Sequence, residues 1–456
     1  MPESPSSSSS SSVRSPARPA SPNSALKGPV MHRQESAGAI YSEVHLWAEA
    51  KLECPVWSLG VSRSGILCGT DDGRVILYDT NLVHCQTLAA HGSSAVLGVE
   101  WSEDCLHFLS VGTDKTIKVW SVEHFRDAPA REAVCLFSLY QLTPVIAAAF
   151  HPLTFSSQAP APVTVFVLTG DRRIGVWTNG VVERYESLSS KDPPVCLSVH
   201  LRDFRPSSFS MDHPLRRSVF LALGTKTGDL LLYAHSPEKG IGFESSLSCR
   251  NRRGTFKDGT PVVAVCWVSG TEMLVSSQDN RVRLVRLCAE KNKSTKMSSR
   301  MNRPALPFEL RVVGKLAGHK SAAGEAPLGA FVLRPPFAAP IVQCGSECGR
   351  IFVWPLSVDE KCAAGRSSVL SRISKKLKPS RALKAKESWF AVQGTDKLTG
   401  AAPAPWNPEK GTIGGSCTVT VSLEGYVRLF FNRSKETRRR ASSSASIAPP
   451  EVSGVD

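Results

Sequence analysis

The chain has 456 residues, of which 41% are hydrophobic and 21% charged, enough for one large repeat architecture or for two or three average domains. It contains no run of about 18 apolar residues, which excludes a membrane-spanning helix, and its N-terminus lacks the apolar core of a secretory signal. The net charge of +15 sits in residues 361–387 (+8), 289–315 (+5), 1–40 (+2) and 433–456 (+2), leaving −2 elsewhere, so the basic face that a nucleic-acid-binding fold needs is missing.

Residues 1–40 are rich in Ser, Pro and Ala, with unbroken serines from Ser6 to Ser12. They hold too little apolar surface to offset the entropy of ordering, and we expect a disordered arm. Val44–Trp47 has strand character. The clearest unit follows at Leu88–Val122. Ala90-His91 opens it, Val96–Trp101 reads as a strand, Ser102–Asp104 as a turn, and Leu106–Val111 as a second strand. Gly112-Thr113-Asp114-Lys115 then turns the chain into the alternating stretch Ile117–Trp120.

The end of that unit recurs along the chain. Asp114 and Trp120 lie six residues apart, as do Asp72 and Tyr78, and Asp171 and Trp177. Weaker copies are Thr227 with Tyr233, Asp279 with Val285, Cys348 with Trp354, and Glu424 with Phe430. Seven such units in register predict a repeat fold. Successive turn positions are 42, 57, 56, 52, 69 and 76 residues apart, against about 40–45 for a bare four-stranded blade. The surplus must leave as loops, the largest being the basic, Ser-rich stretches Glu290–Arg311 and Val358–Lys386. The last unit ends at Val427–Asn432, so its outer strand has to come from elsewhere, and Val44–Trp47 fits. The expected architecture is all-β: a seven-bladed propeller over residues 41–432, with basic insertions near 290–311 and 358–386 and disordered tails at 1–40 and 433–456.

Candidate chemistry was weighed residue by residue. Asp114 is placed to accept backbone amides in its turn, and His91, Ser110 and Trp120 to link strands of one blade. Asp72, Asp171 and Asp279 are the matching turn acids. A His beside an Asp could be catalytic, but a satisfied structural network accounts for it. The chain has no P-loop, nucleophile elbow or zinc-protease motif. Its thirteen cysteines include no Cys-x-x-Cys pair, and several lie in strand-like runs (Cys68, Cys266, Cys344). They read as reduced thiols of a cytoplasmic protein, without metal or cofactor. In Val369–Lys378, Leu370, Ile373 and Leu377 share a helical face with Lys375, Lys376 and Lys378 around it. That is a candidate contact for an anionic membrane or an acidic partner. Arg439-Arg440-Ala441-Ser442 fits a basophilic kinase and makes Ser442 a candidate phosphosite.

The unit at Leu88–Val122 resembles a WD repeat, with Trp120-Ser121 where Trp-Asp is usual. His91, Ser110 and Trp120 resemble that family's buried His–Ser–Trp network. Longer stretches are similar to the WD-repeat family named for rabphilin, whose animal member binds a recycling-endosome Rab GTPase and which has plant and fungal relatives. They are Ala95–Trp101, Thr113–Trp120, Thr143–Pro152, Arg250–Gly254, Val262–Leu287, Lys386–Phe390, Ala401–Trp406 and Val419–Asn432. In the animal member the Rab-binding segment precedes the propeller in a long N-terminal region, whereas here only a short Ser/Pro-rich arm precedes it. The resemblance therefore implies a propeller scaffold for protein partners in Rab-linked traffic at endosomal membranes, with no residue here assigned to the GTPase. The rival expectation is a WD-repeat subunit of a nucleic-acid-associated complex, using the basic insertions on phosphates.

Overall fold

The computed structural model describes residues 33–35, 41–124, 131–152, 154, 162–201, 219–236, 239–250, 259–289, 308–317, 327–333, 340–355, 383–385, 387–392, 395–404 and 415–434. These form seven antiparallel sheets, each built on four strands. Blade 1 comprises Val56–Ser62, Gly65–Thr70, Arg74–Tyr78 and His84–Ala89. Blade 2 comprises Val96–Trp101, His107–Gly112, Thr116–His124 and Arg131–Tyr140, and blade 3 Val145–Phe150, Thr164–Thr169, Arg173–Thr178 and Val181–Ser187. Blade 4 uses Pro194–Leu201, Val219–Thr225, Asp229–Ser236 and Gly240–Ser248, and blade 5 uses Val262–Ser269, Glu272–Ser277, Arg281–Ala289 and Phe308–Ala317. Blade 6 uses Pro327–Leu333, Ile341–Ser346, Arg350–Pro355 and Glu387–Phe390. Blade 7 is made of Leu398–Ala404, Gly415–Ser422 and Tyr426–Ser434, completed by Tyr41–Lys51.

Sequence explains the radial order. The second strands are almost wholly buried, as in Gly65–Thr70 and Val219–Thr225, because neighbouring blades cover both their faces. They therefore read as continuous apolar runs. The fourth strands lie at the rim, and Val181–Ser187 is exposed along most of its length. First strands of successive blades lie against one another all the way round.

No single core exists. Seven apolar clusters fill the spaces between consecutive blades. Leu67 and Val75 of blade 1 pack with Phe108 and Trp120 of blade 2, and Ile66 and Tyr78 pack with Val419 and Phe431 across the closing interface. Each blade buries both faces only because it has two neighbours.

The ring closes as expected. Tyr41–Lys51 pairs antiparallel with Tyr426–Ser434, setting Val44 opposite Asn432 and Leu46 opposite Phe430. Three details differ from the sequence reading. The last strand runs past Asn432, since Arg433 pairs with Glu43 and Gly415, and Ser434 with Tyr41. The insertion assigned to 290–311 ends sooner: Phe308 and Leu310 are buried strand residues, and the charges of Glu309 and Arg311 on the exposed side hid the alternation. Two short segments placed in the arm and in the second insertion also join sheets. Arg33–Glu35 adds a fifth strand to blade 6, and Leu383–Lys384 pairs in parallel with the outer strand of blade 5.

Candidate interaction face

Asp72, Asp114, Asp171, Thr227, Asp279, Cys348 and Glu424 all lie in the turn between the second and third strands of their blades, so they share one face of the ring. The residue after each is left-handed: Gly73 (φ 83°), Lys115 (64°), Arg172 (65°), Gly228 (94°), Asn280 (58°), Gly349 (79°) and Gly425 (85°). A tight hairpin turn demands that conformation. Glycine supplies it freely at four of the seven positions; the other three carry a side chain in a region that disfavours one.

Blade 2 brings together all four residues of the expected network. His91 Nδ1 lies 3.1 Å from both Asp114 carboxylate oxygens, and His91 Nε2 lies 2.8 Å from Ser110 Oγ. Trp120 Nε1 donates to Ser110 Oγ at 3.0 Å, and the Thr116 amide donates to Asp114 at 2.9 Å. One proton arrangement satisfies the chain: Trp120 donates to Ser110, Ser110 to His91, and His91 through Nδ1–H to Asp114. Burial holds the His91 imidazole below its usual range despite the Asp114 charge. Burial alone would raise the Asp114 carboxyl, but bonds from Thr116 and His91 outweigh it and keep it low.

Most of the other turns solve the same problem with residues that the repeat comparison missed, the exception being blade 6, where Ser346 Oγ is buried without a hydrogen-bond partner among the described residues. In six blades a hydroxyl stands two residues before the turn position, at Thr70, Thr169, Thr225, Ser277, Ser346 and Ser422. Thr70, Thr225 and Ser422 accept the amides of Arg74, Asp229 and Tyr426 at 3.1, 2.9 and 3.2 Å. Blade 2 has Gly112 there, and a Cβ at that position would lie 2.4 Å from His91 Nδ1, so the imidazole fills the space of the hydroxyl. Thr70 and Thr169 bond Asp72 and Asp171 at 2.6 and 2.5 Å. In blade 4, Thr227 takes its acid from Asp192 at 2.6 Å, with Arg250 between Thr227 and Asp229. In blade 5, Arg283 forms a buried two-pronged pair with Asp279 at 3.1 and 2.5 Å and also bonds Ser277. These blades therefore add turn hydrogen bonds of their own to the packing between blades. The legible signal was an Arg four residues after Asp279.

A second ring lies on the same face. In every blade the first strand slips register just after its first residue, at Val56/Ser58, Val96/Gly98, Val145/Ala147, Pro194/Cys196, Val262/Ala264, Pro327/Ala330 and Leu398/Gly400. The unpaired residues are Trp57, Leu97, Ile146, Val195, Val263, Leu328 with Gly329, and Thr399. Bulges re-aim side chains: Ile146 and Leu328 pack against the clusters between blades, Thr399 bonds the Val56 carbonyl, and Trp57 and Leu97 stand exposed. Trp57 is 42% and Leu97 48% exposed, and on the same face Tyr140 (61%) ends the outer strand of blade 2 and Leu142 (86%) lies in the link to blade 3. Trp57 Nε1 is anchored on Asp71 at 2.7 Å.

Leu370, Ile373, Lys375, Lys376, Leu377, Lys378 and Ser442 lie outside the described residues. The chain leaves the described fold at Ala289 and at Pro355, the ends of the third strands of blades 5 and 6, on the face opposite the turn acids. No helix among the described residues is long and apolar enough to cross a membrane.

Residues 82–121 match the family model described as WD domain, G-beta repeat. The match begins at the outer strand of blade 1 and ends in the third strand of blade 2, so the sequence repeat is offset from the blade by one strand. That offset is what lets a strand from the start of the fold finish the last blade. No curated protein matches the chain. The chain is a seven-bladed β-propeller in which residues 82–121 match a WD repeat.

Proposed function

We propose that the chain is a non-enzymatic adaptor that holds protein partners on the face carrying the turn acids. The observation behind this reading is that Trp57, Leu97, Tyr140 and Leu142 are all exposed apolar side chains at the turn-acid end of blades 1 and 2 and of the link to blade 3. Exposed aromatic and aliphatic side chains grouped on one surface of a soluble fold mark a protein-binding patch. The resemblance stated above extends the reading to Rab-linked vesicle traffic by a cytoplasmic protein at endosomal membranes. The basic insertions would add a weak, salt-sensitive hold on an anionic surface.

The test is affinity capture with the full chain and with a Leu97→Asp, Leu142→Asp double variant. Partners retained by the wild type should be lost from the variant at unchanged melting temperature. A GTP-loaded recycling-endosome Rab is added as a separate arm. Identical capture by both proteins would overturn the assignment of this face. Capture of nucleic acid that falls steeply with salt would favour the rival reading, because phosphate binding releases counterions.

A further inference from the structure

On the face opposite the turn acids, between blades 3 and 4, lies a cavity of about 360 Å³. That volume suits a small organic ligand. His151, Thr178, Glu183 and Arg184 of blade 3 and His235 and Gly240 of blade 4 line it.

His235 is 9% exposed, and its Nδ1 is buried without a hydrogen-bond partner among the described residues. The ring stands edge-on to His151 at 5.8 Å and to Phe166 at 5.1 Å, while His151 stacks on Phe166 at 5.6 Å. A buried polar atom left unpaired is costly and calls for an explanation.

Arg184 is the second group with bonding capacity to spare. Its nearest carboxylate, Glu186, is 3.6 Å away, and it makes no hydrogen bond among the described residues. A Cβ on Gly240 would fall 1.9 Å from Arg184 Nη1, so the guanidinium rests on bare backbone of blade 4 at the cavity edge. The threonine hydroxyls are already used: Thr164 and Thr178 bond each other at 3.2 Å, and Thr154 bonds the backbone of Thr164. Bonding capacity therefore approaches from two different blades, with the carboxylates of Glu183 in the lining and of Glu186 beside Arg184.

We propose that this cavity binds a phosphate group carried on a small organic body, with Arg184 and His235 holding the phosphate and the ring wall packing on the body. A phosphate presents several acceptor oxygens, so donors from both blades can bond it at once, and Arg binds it in a two-pronged way. Binding is coupled to a proton. The titratable and charged groups around His235 are His151, Glu183 and Arg184. Burial holds both imidazoles low, His151 at about 4, and for His235 the Glu183 charge opposes burial while Arg184 adds to it. Both rings are therefore uncharged at neutral pH, and a bound phosphate draws a proton onto His235.

Calorimetry on the full chain tests this with three probes: phenyl phosphate, inorganic phosphate and phenol, each in two buffers of different ionisation heat. Phenyl phosphate should bind most tightly, inorganic phosphate more weakly, and phenol not measurably. Up to one proton should be taken up, equivalent to roughly tenfold tighter binding per pH unit lowered. Arg184→Gln should weaken phenyl phosphate binding about tenfold or more. His235→Phe, which keeps the ring against Phe166, should abolish proton uptake. Both variants should melt with the wild type. The proposal fails if neither phosphate gives saturable heat, if affinity is unchanged in both variants, or if no proton is taken up. Equal binding of inorganic and phenyl phosphate would overturn the organic body and identify a free-phosphate site.

Discussion

Ser110 Oγ lies 2.8 Å from His91 Nε2, and His91 Nδ1 lies 3.1 Å from Asp114, distances that a serine nucleophile, its base and its orienting acid also show. Access separates the two cases. Ser110 has no exposed surface, and its oxygen already accepts the Trp120 indole, so no substrate can reach it. The network is therefore mechanical, and Asp114→Ala should destabilise the fold by roughly 1–3 kcal/mol by leaving the Thr116 amide and the His91 imidazole without their acceptor. Urea denaturation gives the value, and an unchanged midpoint would remove the mechanical role. The blade 5 pair behaves differently. Asp279 and Arg283 are both almost fully buried, so Arg283→Ala should cost about 3–5 kcal/mol by stranding a buried carboxylate. The joint change Asp279→Asn, Arg283→Met should cost clearly less than the single one. The histidines set the acid response. His91, His151 and His235 are all held below the free imidazole value in the fold by burial. The unfolded chain therefore binds more protons as pH falls through about 6.5, and stability drops from there towards the folded values. For His151, lowered to about 4, the loss is on the order of 2–3 kcal/mol by pH 4. His151→Phe should flatten that part of the melting-temperature profile between pH 7 and 5.

At the scale of the element, the hairpin turns were legible because their chemistry is narrow. An acid or hydroxyl followed by a left-handed residue leaves a mark even where Asp has become Thr227 or Cys348. Lys115 holds φ at 64° with a side chain that bonds only the Leu142 carbonyl at 3.3 Å. Lys115→Gly should therefore stabilise the protein, by up to about 1 kcal/mol, through relief of that strain, and thermal unfolding shows the sign directly. Short edge pieces were not legible. Arg33–Glu35 and Leu383–Lys384 are three and two residues long, too short for alternation to show, and only a neighbouring edge makes them strands. The bulged ring also escaped the sequence reading. A bulge changes pairing without changing the run of apolar residues, so Trp57 and Leu97 look like ordinary strand residues until their partners are known. The Arg184–His235 cavity was hidden for a different reason: its two donors belong to different blades and are brought together only when the ring is assembled.

Across the whole molecule, stability is shared among seven interfaces, and two of them depend on a blade closed by strands far apart in sequence. Tyr41–Lys51 contributes eleven residues to blade 7. Its Val44 and Leu46 pack with Trp389 and Phe430 at the blade 6–7 interface, while Ala48 and Ala50 pack with Val427 and Phe431 at the blade 7–1 interface. Glu49 pairs with Arg428 at 2.6 Å. Removing this strand exposes the edge of Tyr426–Ser434 and uncovers two apolar clusters at once. Among the described residues, removing 1–40 deletes only Arg33–Glu35, whose three pairs extend the outer edge of blade 6. Deletion of 1–40 should shift the melting temperature by no more than a few degrees, as expected for about 1 kcal/mol in a fold of this size. Deletion of 1–51 should abolish the cooperative transition or drive association through the bared edge. Calorimetry and light scattering on the two truncations make the comparison. If the longer deletion melts like the shorter one, the strand does not hold the ring shut, and the inner strands alone must suffice.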